Sequence, residues 1–260
     1  MNRTILVRLL LCFLWIASAT PVWGGEVRIA VSANFAKPLR EIAEFFHAQT
    51  GHRTIVSHGS SGKLYAQIRH GAPFDVFLSA DTTHPRKLEA DGLAVPDTRV
   101  TYAIGRLVLW SSDPSLLAAD GPRILSSETF TYLAIANPKT APYGQAAQHV
   151  LEALGLWERL QRRIVRGENI GQAFQFVVSR NAQLGFVARS QILDPDIAGL
   201  GSRWDVPPEL HAPLLQQAIL LKRGRNNEAA IAFLQFLTGA EARAVIRRFG
   251  YDLPQMDPIP

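Results

Sequence analysis

Short apolar runs alternate with stretches of helical period across residues 27–249, and a chain patterned this way has few folds open to it. Parallel strands need a long crossover between them and the helical stretches supply it, so the pattern predicts an α/β chain with mainly parallel sheets flanked by helices. Residues 27–31 read as the first strand. Pro38 then sits in the first turn of a helix, where its missing N–H needs no partner. Leu39, Ile42, Ala43, Phe45 and Phe46 follow at helical spacing until Gly51 stops the helix. Residues 54–56 predict a second strand, 64–69 a helix, 75–78 a third strand, and Asp81 caps a helix running towards Asp91-Gly92. Residues 99–110 form a longer run that ends in its strongest strand, 107–110, and leaves the first sheet for a second. There the alternation resumes: strand 132–136, helix 144–154, strand 164–165, helix 170–179 and strand 184–188. A strand over 214–221 and helices over 228–237 and 240–249 are most economically returned to the first unit. The expected division is residues 25–106 and 217–260 in one lobe and 107–216 in the other. Two crossings between them make a hinge beside a cleft.

Where the first two strands end, the chain carries small uncharged turns: Ala33-Asn34-Phe35 and Gly59-Ser60-Ser61-Gly62. A helix start offers N–H groups without intrahelical acceptors and about half a positive charge, so such a turn suits an anion. Two of them from consecutive units can face one small oxyanion.

The first 24 residues read as a secretory signal: Arg3 and Arg8 form the charged end, residues 9–19 the apolar stretch, and cleavage follows Gly24. The apolar stretch is about half the ~20 residues that a membrane-spanning helix needs. Cys12, the single cysteine, falls inside it and outside any lipobox, so the mature chain has no thiol chemistry and a periplasmic location is expected. Without the leader 25 basic and 22 acidic residues remain, a mild excess. The basic residues lie in scattered groups such as Arg162-Arg163 and Arg247-Arg248 with no interleaved aromatics, which argues against a nucleic-acid surface.

Other motifs fail in detail. A phosphate-cradling P-loop around Gly59–Lys63 needs glycine where Ser57 stands and Ser or Thr where Leu64 stands. The same segment is one residue short of a nucleophile elbow. A periplasmic hydrolase using Ser60 or Ser61 is left without an identifiable base. The seven histidines show no paired ligand spacing, and Asp75 and Asp81 read as caps and interloop acceptors.

The chain resembles the periplasmic molybdate-binding proteins of ABC transporters, which bind molybdate and tungstate. The stretches that carry the likeness are Ala30-Val31-Ser32-Ala33-Asn34-Phe35, Gly59-Ser60-Ser61-Gly62-Lys63-Leu64-Tyr65-Ala66-Gln67-Ile68, Gly71-Ala72-Pro73-Phe74-Asp75-Val76-Phe77-Leu78-Ser79-Ala80-Asp81, Tyr102-Ala103-Ile104-Gly105-Arg106-Leu107-Val108-Leu109-Trp110 and Asn137-Pro138-Lys139-Thr140-Ala141-Pro142-Tyr143-Gly144. The resemblance implies a two-lobed type II periplasmic-binding-protein fold with the ligand in the cleft. It also implies a monomer that hands its ligand to membrane permease subunits, with no catalysis and no cofactor. Molybdate would be held as an oxyanion by Ala33, Asn34, Ser61 (with Ser60 as the neighbouring alternative), Tyr143 and the Ile170 backbone N–H. One branch of the family has tyrosine where this chain has Ala188, and Tyr143 looks like its substitute.

These residues offer neutral donors: the Asn34 amide, the Ser61 and Tyr143 hydroxyls, and backbone N–H groups. Lys37, Lys63, Lys139 and Arg166 are expected to steer the ligand from the rim. Hydrogenphosphate carries a proton that needs an acceptor, and only Glu168, expected to cap the helix at Ile170, lies near. Molybdate and tungstate should bind much more tightly than sulfate, with phosphate weakest. A receptor for sulfate or another tetrahedral oxyanion remains the alternative.

Overall fold

The computed structural model describes residues 24–117 and 121–255. The expected leader, Cys12 included, lies outside the described residues except for Gly24. The described chain forms two five-stranded sheets. The first contains β1 (Glu26–Ser32), β2 (Arg53–Gly59), β3 (Val76–Ser79), β4 (Val100–Gly105) and β10 (Leu214–Leu220), in the order β2-β1-β3-β10-β4. The second contains β5 (Leu107–Ser111), β6 (Leu133–Ala136), β7 (Ile164–Gly167), β8 (Leu184–Ala188) and β9 (Ser202–Asp205), in the order β7-β6-β8-β5-β9.

Each sheet is mixed in a corresponding way. β1 runs parallel to β2 and β3, and β6 runs parallel to β7 and β8. The strands adjoining the crossings, β10 and β4 in one sheet and β5 and β9 in the other, pair antiparallel. The mainly parallel character expected from the alternation therefore holds for the βαβ part of each lobe. A strand that arrives from the other lobe enters its sheet from the opposite end and has no helical crossover to reverse it.

Alternation along β1 explains the first lobe's layers. Val27, Ile29 and Val31 face one side and pack with Leu39, Ile42 and Phe46 of α1 (Ala36–Thr50) and with α9 (Glu228–Leu237) and α10 (Ala240–Arg248). Ala30 faces the other side and meets Leu64 and Ile68 of α2 (Ser61–Arg69) and Leu88 of α3 (Thr83–Ala90). The second lobe has one continuous core, in which α5 (Pro142–Ala153) contributes Ala146, Ala147, Val150 and Leu151. α7 (Ile170–Val178) adds Ala173 and Val177 to it. The remaining helices are short: α4 (Gly121–Leu125), α6 (Trp157–Leu160) and α8 (Arg189–Ile192).

The chain crosses between the sheets twice. Arg106 alone separates β4 from β5, and residues 206–213 join β9 to β10. β10 begins pairing at Leu214, which lies opposite Gly105, so the return strand enters the first sheet ahead of the boundary expected at 216/217.

Candidate functional site

Register places the two small turns side by side. Ser32 ends β1 level with Gly59 at the end of β2, and the chain enters a helix directly after each. The second sheet repeats the device, with Ala136 of β6 level with Gly167 of β7 ahead of α5 and α7. Four helix starts therefore converge on one cavity between the lobes: the 3-10 turn Ala33–Phe35 that runs into α1, α2 at Ser61, α5 at Pro142 and α7 at Ile170. The cavity measures about 180 Å³ with the open space at its mouth counted in. Ser32, Ala33, Asn34, Ser60, Ser61 and Ala80 line it from the first lobe, and Ala141, Pro142, Tyr143 and Ile170 from the second. No lysine, arginine, aspartate or glutamate lines it among the described residues. All six residues expected at the site, Ser60 included, are thus brought together.

Their hydrogen bonding differs from expectation at two positions. The Ser61 and Ser32 hydroxyls are 2.5 Å apart, and the Ala80 N–H donates to both, at 3.0 and 3.1 Å. One hydroxyl of the pair donates to the other, so one hydroxyl hydrogen remains available. Ser60 occupies the N-cap position of α2 yet caps nothing, because the Gly62 N–H donates across the cleft to Thr140 O at 2.9 Å. Its hydroxyl is buried without a partner. Ser60 is therefore a free donor beside the cavity, in keeping with its place as the expected alternative to Ser61.

Asn34 is the second difference. Gln216 is fully buried and its Nε2 donates to Leu214 O, which can only accept, so Gln216 Oε1 must face Asn34. Asn34 Nδ2 accordingly donates to Gln216 Oε1 at 2.8 Å and to the Tyr251 hydroxyl at 3.0 Å. Both amide hydrogens are engaged within the protein, so the expected side-chain donation to an oxyanion is not available in this arrangement. The donor that Asn34 retains is its N–H in the first turn, where no intrahelical acceptor exists.

Tyr143 is 1% exposed, and its hydroxyl, set close to Tyr251 and the Asn34 side chain, completes no hydrogen bond with either. Burial, with the neighbouring Tyr251 and Tyr102, pushes its pKa well above the ordinary tyrosine value, so it remains a neutral donor. The hydroxyl fits against the hinge because position 105 is glycine, where a Cβ would lie 2.2 Å from it. Ile170 opens α7 under a cap supplied by Asn169, whose Oδ1 accepts from the Gln172 N–H at 3.1 Å. Glu168, the expected cap, instead pairs with Lys63 across the cleft mouth. It is set too far back from the helix start to reach the N–H groups that Asn169 takes.

Three of the four expected rim cations have their own partners, Lys63 through Glu168. Lys37 pairs with Asp194 and Asp196, and although burial opposes it the two carboxylates raise its pKa. Arg166 donates to Gln161 Oε1, and neither Lys139 nor Arg166 lines the cavity. Ala188, at the end of β8, does not line it either. Sequence reasoning missed Ser32, Ala80, Gln216, Tyr251 and Ser190. Ser32 and Ala80 adjoin the turns and fall in the quoted stretches, whereas nothing local marks the other three.

Comparison with known proteins adds to this geometry. Residues 27–252 match the bacterial extracellular solute-binding protein family. The molybdate-binding protein ModA of Azotobacter vinelandii is 49% identical over 230 residues, 88% of this chain and 90% of that protein. ModA of Rhodobacter capsulatus is 46% identical over 233 residues, 90% of each chain. The solved structure of the Azotobacter vinelandii periplasmic molybdate-binding protein superposes with a TM-score of 0.85 at 42% identity, covering 88% of this chain and all of that one.

Proposed function

The chain belongs to the bacterial extracellular solute-binding proteins, and on that premise we propose that it captures molybdate and tungstate in the periplasm and delivers them to an ABC-type permease. Relatives named for molybdate binding, matched at up to 49% identity along most of the chain, support that ligand. The carrying observation is the interlobe cavity lined by four helix starts and neutral groups, two of whose hydroxyls are buried without partners. A buried unmatched hydroxyl costs about 1–3 kcal/mol, and a dianion placed between the lobes would satisfy both. Dipoles spread over two lobes stabilise that charge without leaving a cation buried when the ligand departs.

Contacts to Ala33, Asn34, Ser60, Ser61, Tyr143 and Ile170 would close the lobes around the ligand, and no covalent step is needed. The same cavity gives little support to a serine-dependent hydrolase, because Ser61 Oγ is bonded to Ser32 Oγ and the Ala80 N–H rather than to a base. Monomeric action is part of the proposal.

Calorimetric titration of residues 25–260 with molybdate, tungstate, sulfate and phosphate tests it. Molybdate and tungstate should bind most tightly and phosphate most weakly; phosphate at or above molybdate would refute the reading.

A further inference from the structure

Beside the cavity lies a buried polar cluster that shares Asn34 with it and otherwise falls outside the proposed contacts. Its centre is Tyr251, 4% exposed, in the segment that follows α10. The Tyr251 hydroxyl donates to Asn34 O at 2.8 Å, accepts from Asn34 Nδ2 at 3.0 Å, and lies 3.0 Å from Ser190 Oγ. Ser190 belongs to α8 of the second lobe, and its hydroxyl also donates to Asn34 O, at 2.9 Å. One carbonyl at the first anion-facing turn thus collects a hydroxyl from each lobe. The segment itself is tied to the hinge. Ile104 and Asp252 exchange backbone hydrogen bonds at 2.8 and 3.0 Å, and Arg106, the single residue of the first crossing, forms an ion pair with Asp252 at 2.5 Å.

We propose that Tyr251 is a positioning residue for oxyanion capture, holding the Asn34 turn in its anion-binding conformation while Ser190 bonds the same Asn34 carbonyl from the second lobe. Asn34 has both amide hydrogens engaged, so its usefulness to a ligand depends on where its backbone N–H points. Tyr251 bonds the same residue's carbonyl and side chain, and so restrains the peptide planes on either side of it. The bond from Ser190 Oγ to Asn34 O joins opposite lobes beside the first crossing, where the neighbouring Arg189 N–H donates to Arg106 O. Losing it should act on ligand release more than on encounter. The ring also packs edge-on against Phe35, with centroids 5.4 Å apart, a structural role that phenylalanine would preserve.

The inference rests on the oxyanion-receptor reading. Wild type, Tyr251→Phe and Ser190→Ala should be titrated with sodium molybdate, release followed by stopped flow, and the ligand-free proteins melted. Tyr251→Phe is expected to raise Kd about tenfold, mainly through faster release, and Ser190→Ala about threefold, each the scale of a lost buried hydrogen bond. A purely structural Tyr251 would lower the ligand-free melting temperature and leave Kd and release rate unchanged, which would overturn the inference while leaving the receptor reading intact. Should Tyr251→Phe fail to fold, an unchanged Kd in Ser190→Ala would overturn it alone. No molybdate binding by wild type would overturn the receptor reading and this inference with it.

Discussion

Ser60 and Ser61 are neighbours with the same side chain, and their surroundings divide the work between them. Ser61 is fixed by Ser32 and Ala80, while Ser60 has a buried hydroxyl with nothing to bond. Replacing Ser60 with alanine should therefore act with opposite signs on two measurements. The ligand-free protein loses no hydrogen bond and should melt at the same temperature or slightly higher. Molybdate affinity should fall by roughly ten- to a hundredfold, since a hydrogen bond to a charged group is worth about 1.5–3 kcal/mol. A second residue-scale expectation concerns Asp81. Burial alone would raise its pKa, but the His84 ring, the His84 N–H and the Ser79 hydroxyl together hold it below the ordinary value of 3.8. Its folded pKa lies below its unfolded one, so its stabilisation is complete above about pH 3.8 and is lost as pH falls through the lower folded value. In acid melts, wild type should lead Asp81→Asn near neutrality, and the gap should close as the pH drops below that point.

Elements bring these residues to one place because each helix that faces the cavity begins where a parallel strand ends. One close approach between the lobes is at Gly62, where an added Cβ would stand 2.9 Å from Thr140 O of the second lobe. Alanine is the better helix former by about 1 kcal/mol, so Gly62→Ala should stabilise α2 itself. It should nevertheless weaken molybdate binding, because the lobes would be held apart at the Gly62–Thr140 hydrogen bond. A variant that gained both stability and affinity would contradict the closed geometry. At this scale the pattern predicts most of the fold. The helices over 228–237 and 240–249 match α9 and α10 within a residue, and the alternation before them matches its elements within about three, the widest misses being the end of β2 at Gly59 and the start of α2 at Ser61. β9 escaped because Ser202-Arg203-Trp204-Asp205 has one apolar residue and sits at a sheet edge, where pairing with β5 rather than local hydrophobicity makes it a strand.

Among the described residues of the whole molecule, charged side chains are kept out of the cavity and some pair between the lobes. Lys63 with Glu168, and Lys37 with Asp194, each join one lobe to the other around the cleft. The Lys63–Glu168 pair is exposed on both sides, so it contributes at most about 1 kcal/mol and is screened by salt. Molybdate release should accordingly quicken as ionic strength rises, and Glu168→Gln should flatten that dependence; equal salt slopes in the two proteins would exclude a latch at Lys63. Ligand binding also stabilises the closed form by mass action, by roughly 4 kcal/mol at a thousandfold excess over Kd, so the melting temperature should climb with molybdate concentration.

Strand and helix identity, the placing of the anion-facing turns at strand ends, and the neutral chemistry of those turns follow from the residues alone, because each depends on neighbours a few positions away. The family likeness rests on the same local stretches. Which hydroxyl is free, that the Asn34 amide is taken, and that Asn169 rather than Glu168 caps α7 depended on the folded arrangement. Asn34 is governed by Gln216 and Tyr251, 182 and 217 positions distant. Hydrogen-bond satisfaction in a buried cluster is a property of atoms that meet only after both lobes have formed, and no local pattern records it.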